Sequence, residues 1–152
     1  HLAVLDGAEV LYIDRIGGHN VSRLPSRVGG RFPAHASAIG KALLAFSAAA
    51  ASPGPRRLHR TGPRTVVQQP ILEQQLAQIR RDGFAVEFEE SARGICCVGA
   101  PILGTSGTPI SAVSVAGAVH RMDTQRVAQA VRRAAAGIGT ALVDSELMVA
   151  SA

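Results

Sequence analysis

Residues 30–45 place turn residues directly before a run of small residues and then an Ala/Leu-rich segment. Gly30 and Pro33 favour a turn, whereas the apolar residues that follow recur at the spacing of one helix face. We therefore predict a helix over about residues 36–49, entered through a tight turn. The first turn of such a helix exposes backbone N–H groups that suit a small anion. A capping side chain can satisfy the same groups, so both interpretations stay open.

Apolar runs bounded by turn residues predict a set of antiparallel strands. The pair Asp6-Gly7 is a strong hairpin signal between two such runs, and residues 104–107 separate two longer ones. The predicted strands cover residues 2–5, 10–13, 21–28, 84–88, 95–103 and 109–116. Residues that alternate between apolar and polar, as in 84–88, are typical of a half-buried strand.

Two further helices and one mixed segment complete the pattern. Pro70 suits the first turn of a helix that ends at Gly83. A long helix over about residues 123–147 carries an apolar stripe, formed by Val127, Val131, Ala134, Ile138 and Leu142. Residues 56–69 are polar and predict a short helix and a loop. Because strands and helices follow no regular β–α–β order, we expect an α+β fold with a mainly antiparallel sheet flanked by helices.

The charge of the chain favours a nucleic-acid partner, but its distribution does not. The formal net charge is +5, and Lys41 is the single lysine among 16 basic residues. The arginines are scattered singly or in pairs, with no helix-turn-helix, zinc finger or aromatic-basic strand beside them. We therefore expect any attraction to DNA to be non-specific and electrostatic, and to weaken as salt rises.

The two cysteines and the first residues of the chain indicate the cellular compartment. Cys96 and Cys97 are adjacent and point to opposite faces of a strand, which favours a reducing, cytoplasmic compartment. No apolar run approaches the roughly 18 residues of a membrane span, so we expect no membrane association. His1 is the first residue and no signal-peptide pattern follows it, so we expect a piece of a longer protein.

Four blocks of the sequence resemble the effector-binding domain of IclR-type (isocitrate lyase regulator) transcription factors. Residues 30–45 match the signature R-x-P-x-H-A-[ST]-A-x-G-K-A-x-L-A, and residues 83–90 match G-[YF]-A-x-[DE]-x-E-E. Residues 94–102 are similar to G-[VL]-x-C-[IV]-A-x-P-[IV], and residues 110–117 to a-[AS]-[IL]-[ST]-[IV]-[ST]-G. The blocks occur in the family's order and span nearly the whole chain. The resemblance implies a GAF/profilin-like fold.

The resemblance also implies a site for a small-molecule effector between the sheet and the first turn of the signature helix. The implied ligand-binding residues are Ala38 and Ile39, through their backbone amides, and Glu87, Ile95, Cys97 and Ser114. Amide donors and a hydroxyl in an apolar pocket suit a small carboxylate. The family often has a second hydroxyl where this chain has Ala116, which hints at a less polar ligand such as an aromatic or longer-chain acid.

The role implied for the chain is regulatory. Residues 1–152 are expected to form one sensor domain of a bacterial transcription factor that is not an enzyme and needs no cofactor. DNA contact is expected only through a winged helix-turn-helix domain that is absent from this chain. A sensor that reports to symmetric DNA half-sites has to self-associate, so we expect a dimer or tetramer.

Other interpretations of the same residues stay open. His35, Glu87 and Cys97 offer zinc-ligand types for a metal-responsive site, although the usual closely spaced pairs are missing. Cys97 with His35 as base would suit a small enzyme, although no nucleophile signature is present. Lys41 is expected in water, Ser114 can satisfy a backbone group, and Glu87 can belong to a solvated strand end. If Cys97 and Ser114 share a pocket, directly opposed residues of their hairpin must have numbers with an odd sum.

Overall fold

One antiparallel sheet of six strands carries helices on both faces. The computed structural model describes residues 1–17, 26–47 and 58–150, with side chains through residue 145. In chain order the elements are β1 (Leu2–Asp6), β2 (Glu9–Asp14), β3 (Arg31–Pro33), α1 (Ala38–Phe46), α2 (Gln69–Asp82), β4 (Ala85–Phe88), β5 (Ile95–Leu103), β6 (Pro109–Ala118) and α3 (Thr124–Ala150). The strand order is β3-β2-β1-β6-β5-β4, and every pairing is antiparallel. The α+β fold is therefore confirmed.

The two faces of β5 pack against different helices. Gly99 faces α1 closely, and the core on this side includes Ile39, Leu43 and residues of α2. Ala100 and Ile102 point the other way and pack against Val131 and Ala135 of α3. Successive residues of a strand point to opposite faces, so this long buried strand separates two hydrophobic cores. Of the helices that the structure describes, none combines the length and apolar character that a membrane span requires.

Both predicted hairpins form, each with an adjustment at its turn. In the first, Asp6 pairs with Glu9, so the two turn residues are Gly7 and Ala8 rather than Asp6 and Gly7. Gly7 has a φ of +63°, a conformation that costs glycine no steric strain. In the second, Leu103 pairs with Pro109 beside the turn, and a register shift next to Leu103 then places Ile102 opposite Ser111. The number of residues between Ile102 and Ser111 is therefore even.

The third strand lies later in the chain than predicted. Residues 26–28 of the predicted strand are not extended in a sheet, and residues 18–25 lie outside the described part of the chain. Arg31–Pro33 instead pairs with β2, with Phe32 opposite Val10. A short strand that carries an arginine and a proline is typical of a sheet edge, where β3 lies. The Gly-Gly sequence thus precedes the strand instead of ending it.

The helix boundaries mostly confirm the sequence analysis. Pro70 lies in the first turn of α2, and Gly83 ends this helix in the left-handed conformation with a φ of +75°. The helix expected over residues 36–49 is shorter, because residues 34–36 form a 3-10 turn and Ser37 caps α1. The short helix expected within residues 56–69 is wrong for the described residues 58–68, which form turns and loop.

The buried stripe of α3 differs from the predicted one after its first two turns. Val131 is buried as predicted, but the prediction is wrong for Ala134, Ile138 and Leu142, which are exposed, the last two by 39% and 38%. Ala135 is buried in place of Ala134. The small residue Gly139 faces the sheet instead, where a Cβ atom would lie 2.9 Å from the Leu103 carbonyl oxygen. Close approach at this glycine sets the rotation of the helix, so the larger aliphatic residues point away from the sheet.

Candidate functional site

The first turn of α1 lies directly over the middle of β5. A Cβ atom at Gly99 would lie 2.9 Å from both the Ala38 carbonyl carbon and the Ile39 backbone nitrogen. Real Cβ contacts are not that short, so only glycine permits this approach without a shift of the backbone. Gly99 is therefore the residue that brings the helix N-terminus onto the sheet.

The cap of α1 leaves two backbone donors without a partner. The Ser37 hydroxyl accepts the Gly40 N–H at 3.1 Å, and the Lys41 N–H donates to the Ser37 carbonyl at 2.9 Å. Among the residues that the structure describes, no acceptor is present for the N–H groups of Ala38 and Ile39. Both residues are buried, so these donors meet neither solvent nor protein acceptors. The positive end of the helix dipole adds to their attraction for an anion.

A small cavity adjoins these donors, with a volume of about 20 Å³. Its wall is formed by residues that are far apart in the chain, namely His1, Tyr12, Ser26, Ser37, Ala38, Ile39, Ser91, Cys97, Ser114 and Ala116. Such a volume holds about one water molecule. Four of the six residues predicted for the site therefore lie together in one wall, whereas Glu87 and Ile95 are not part of it.

The register of the second hairpin brings two of these residues onto one face. Cys97 lies opposite Ala116, and Gly99 lies opposite Ser114. The paired numbers have an odd sum, so the parity prediction is confirmed. Cys97 and Ser114 therefore point to the α1 side of the sheet, while Cys96 is fully buried on the other side. Within the described part of the chain, the Ser114 hydroxyl has no hydrogen-bond partner.

Glu87 lies behind the cavity wall and organises it. Its side chain is fully buried and accepts the Ser91 hydroxyl at 2.6 Å and the Glu90 N–H at 2.8 Å. Glu87 on β4 and Cys97 on β5 are directly opposed in the sheet. Burial, together with the Glu87 charge, raises the pKa of Cys97 far above that of a free thiol. The alternative of a solvated strand end is therefore wrong for Glu87.

Lys41 is fully buried, which corrects the expectation that it lies in water. Its ammonium group donates to Glu90 at 2.6 Å, to the Gln75 side chain at 3.0 Å and to the Val86 carbonyl at 3.4 Å. Burial raises the pKa of the Glu90 carboxyl, and Lys41 lowers it in partial compensation. This ion pair ties α1 to α2 and to the segment after β4. Because the Glu90 N–H donates to the Glu87 carboxylate, the Lys41–Glu90 pair also stabilises the back of the cavity.

The remaining residues give no support to the enzyme or metal interpretations. His35 Nε2 hydrogen-bonds to the His59 carbonyl at 3.0 Å. Burial lowers the pKa of His35. The raised pKa of Cys97 opposes thiolate formation, which a nucleophile needs. In the described ranges, no group of three or more His, Cys, Asp or Glu side chains is placed to hold a metal ion.

A family model described as "Bacterial transcriptional regulator IclR C-terminal" matches residues 1–140. The chain belongs to the IclR family. The chain is 35% identical over 131 residues to the HTH-type transcriptional regulator XynR of Escherichia coli K12, covering 84% of this chain and 52% of that protein. It is 33% identical over 136 residues to the transcriptional repressor IclR of the same strain, covering 85% and 49%. The chain thus spans about half the length of these curated relatives, which are regulators and not enzymes.

Solved structures of the IclR family have the same fold. The Thermotoga maritima IclR structure superposes with a TM-score of 0.82 at 29% identity, covering 94% of this chain and 60% of that chain. An IclR homologue from Microbacterium hydrocarbonoxydans, complexed with 4-hydroxybenzoate, has a TM-score of 0.80 at 32% identity, covering 91% and 58%. The GAF/profilin-like expectation for the fold is therefore confirmed.

Sequence reasoning missed several residues in and around the site, among them Gly99, Ser91 and Tyr12. Gly99 had a usable signal, since a glycine inside an apolar strand often marks a close backbone approach. Ser91 follows the strand that carries Glu87, but only the folded turn brings its hydroxyl to the carboxylate. Tyr12 lies on β2 and reaches the cavity across the sheet, where burial strongly raises its pKa. No local pattern connects Tyr12 or Ser91 to the signature helix.

Proposed function

We propose that residues 1–152 form the effector-binding domain of a bacterial IclR-type transcription factor. In this proposal, a small carboxylate binds in the cavity at the first turn of α1 and changes DNA binding by a winged helix-turn-helix domain outside this chain. The observation that carries the proposal is the pair of buried, unpartnered N–H groups of Ala38 and Ile39, next to the free hydroxyl of Ser114. Because the regulator would act on bacterial DNA, its proposed location is the cytoplasm.

The amide pair favours a carboxylate as the ligand group at α1. Two adjacent backbone donors at a helix N-terminus form charge-assisted hydrogen bonds with an anion. The 4-hydroxybenzoate carried by the relative from Microbacterium hydrocarbonoxydans is an acid of this kind. We adopt it as a probe for this chain, and the natural effector is proposed only as a small organic acid. Ala116 in the wall leaves room for an apolar ligand body.

The wall on the β5 side favours a hydrogen-bond donor on the ligand. The Ser91 hydroxyl donates its proton to Glu87, so its oxygen faces the cavity with lone pairs. The Cys97 sulfur lies in the same wall and is a weak acceptor. A ligand hydroxyl opposite its carboxylate would meet these acceptors and the Ser114 hydroxyl. Glu87 is proposed to act indirectly, by orienting Ser91 and Cys97, and the role of Ile95 remains a prediction.

Binding of such an acid requires the cavity to open. A volume of about 20 Å³ holds about one water molecule and is too small for an aromatic acid. The wall opposite α1 is closed by a hydrogen bond of 2.7 Å between His1 Nε2 and the Ser26 hydroxyl, with the His1 ring packed against Tyr12. We propose that this contact separates when the effector binds, which gives a route from ligand to conformational change.

Titration calorimetry with 4-hydroxybenzoate and the neutral 4-hydroxybenzamide tests the proposal. The acid is expected to bind and the amide is not. Ala38→Pro removes one donor at a helix position that tolerates proline, and Ser37 already has the extended backbone that precedes proline. We expect about 10- to 100-fold weaker binding, since a charge-assisted hydrogen bond contributes about 1.5–3 kcal/mol. Thr124→Pro, at the first residue of α3, is the matched control. Equal binding of acid and amide, or full affinity in Ala38→Pro, would contradict the proposal.

Self-association as a dimer or tetramer is part of the same proposal. The outward stripe of α3 supports it, because Ala134, Ile138 and Leu142 are exposed at the spacing of one helix face. Light scattering at tens of micromolar chain should give a dimer or larger species. A double Ile138→Gln/Leu142→Gln variant should shift the chain toward monomer. A monomeric parent chain at this concentration would count against this part of the proposal and leave the effector site untouched.

A further inference from the structure

A groove of about 940 Å³ opens on the side of the fold away from the effector cavity. It lies between the C-terminal end of α2, the second half of β5 and one face of α3. Along α3 it extends from Gln129 to Val143, which is about 21 Å at a rise of about 1.5 Å per residue. This volume is typical of ligand sites, whereas the cavity at α1 holds about one water molecule.

The floor of the groove is apolar. Pro101 and Leu103 of β5 lie on one side of it, and Ala135, Ala136 and Val143 of α3 lie on the other. β4 pairs with β5 only as far as Gly99, so none of the six described strands covers the next residues of this edge. Pro101 has no N–H to offer at that edge, which disfavours addition of another strand. The floor therefore offers apolar contact more than backbone pairing.

The rim of the groove concentrates positive charge. Arg80 and Arg81 come from α2, and Arg132 and Arg133 come from α3. Asp82 is the one acidic residue among the lining residues that the structure describes. Within the described part of the chain, none of the four guanidinium groups has a carboxylate partner. The Asp82 carboxylate accepts two hydrogen bonds from the Gln78 amide instead.

A purely structural role accounts for only part of this charge. Arg80 donates to the Ala45 carbonyl at 2.6 Å, and Arg132 lies beside Gly83 at the end of α2. Cations are favourable there, but the C-terminus of a helix carries only about half a negative charge. Four arginines against one aspartate leave an excess of three positive charges. The excess is several times larger than the helix terminus can offset.

We infer that this groove binds an amphipathic organic anion, with its acidic head group between the two arginine pairs and its apolar chain along the floor. Guanidinium groups on opposite walls suit a carboxylate held by paired hydrogen bonds. The apolar floor favours such a molecule over a nucleic-acid backbone, which offers phosphates without an apolar chain. This second site is independent of the effector proposed for the cavity.

Calorimetry of the 152-residue chain with decanoate tests the inference, with neutral decyl maltoside and acetate as controls for the chain and the head group. We expect saturable binding of decanoate that weakens as salt rises. Arg132→Gln/Arg133→Gln should weaken it about tenfold, because two charge-assisted contacts at a partly exposed site are lost. Arg121→Gln/Arg126→Gln removes the same charge from exposed positions outside the groove and should change affinity less than about twofold.

Three results would overturn the inference. Equal affinity in the two double variants would show that the groove arginines make no contact with the head group. Loss of decanoate binding in Ser114→Ala, with retention in Arg132→Gln/Arg133→Gln, would place the ligand in the effector cavity. Displacement of decanoate by a short DNA duplex that binds more tightly through the same arginines would identify a nucleic-acid surface. Titration of each variant with 4-hydroxybenzoate measures separately whether the effector cavity still binds its ligand.

Discussion

Lys41→Met should destabilise the fold strongly at neutral pH, because it leaves the Glu90 carboxylate buried without its partner. The Lys41 side chain is 0% exposed and that of Glu90 is 7% exposed. Methionine fills a similar volume, so loss of the charge dominates over loss of packing. The hydrogen bonds of Lys41 to Gln75 and to the Val86 carbonyl are lost as well.

The size of the destabilisation depends on whether Glu90 stays charged or takes up a proton. Leaving one member of a buried ion pair charged costs about 3–5 kcal/mol. Glu90 can instead take up a proton, which from an ordinary pKa of 4.5 costs about 3.4 kcal/mol at pH 7. The cost of protonating Glu90 is therefore the upper limit of the destabilisation that the unpaired charge can cause. We expect a loss of about 3 kcal/mol in the free energy of unfolding at pH 7.

The pH dependence separates this mechanism from a packing defect. In the variant, the folded-state pKa of Glu90 lies above its unfolded value, so stability falls as pH rises from about 4.5 toward the folded pKa. At pH 5, protonation costs only about 0.7 kcal/mol, and the deficit relative to the parent chain should shrink by about 2 kcal/mol. Urea unfolding at pH 5 and pH 7 measures both values. Lys41→Met/Glu90→Gln should recover most of the loss at pH 7. An equal deficit at both pH values would show that lost packing, and not the unpaired Glu90 charge, causes the destabilisation.

Three further predictions concern residues in and around the effector cavity. Burial raises the pKa of Cys96 to about 11 and raises that of Cys97 still further, so a thiol reagent at pH 8 should react only after the chain is unfolded in urea. Glu87→Gln should lower the free energy of unfolding by about 1–3 kcal/mol, since the buried donors of Ser91 and Glu90 lose a charged acceptor, and urea unfolding measures this. Gly99→Val should weaken 4-hydroxybenzoate binding and cost about 1–3 kcal/mol by overpacking against α1, whereas Gly104→Val in the hairpin turn should leave binding unchanged.

Local patterns predicted most of the fold because the elements depend on nearby residues. Gly83 ends α2 and Pro70 begins it, as expected from the backbone preferences of these two residues. The third strand was misplaced because the edge pairing of β3 with β2 depends on tertiary contacts rather than on an apolar run. The rotation of α3 depends on close packing at Gly139, which a count of apolar residues does not detect.

The candidate site was predictable in part for a similar reason. The odd-sum parity was a condition stated from the sequence, and the structure meets it only through the register shift next to Leu103. Burial of Lys41 was not predictable, since its partner Glu90 lies 49 residues away along the chain. The arginines of α2 and α3 appear scattered in the sequence, and only the fold gathers Arg80 and Arg132 around one groove.

The proposed function requires that the first-turn amides of α1 bind an anionic effector. An NMR titration of ¹⁵N-labelled chain with 4-hydroxybenzoate observes these amides directly. We predict that the largest shifts occur at Ala38 and Ile39, and that they saturate with the dissociation constant measured by calorimetry. Benzamide, without the carboxylate, should leave both amides unmoved. Saturable binding of the acid that leaves the Ala38 and Ile39 signals in place would contradict the account.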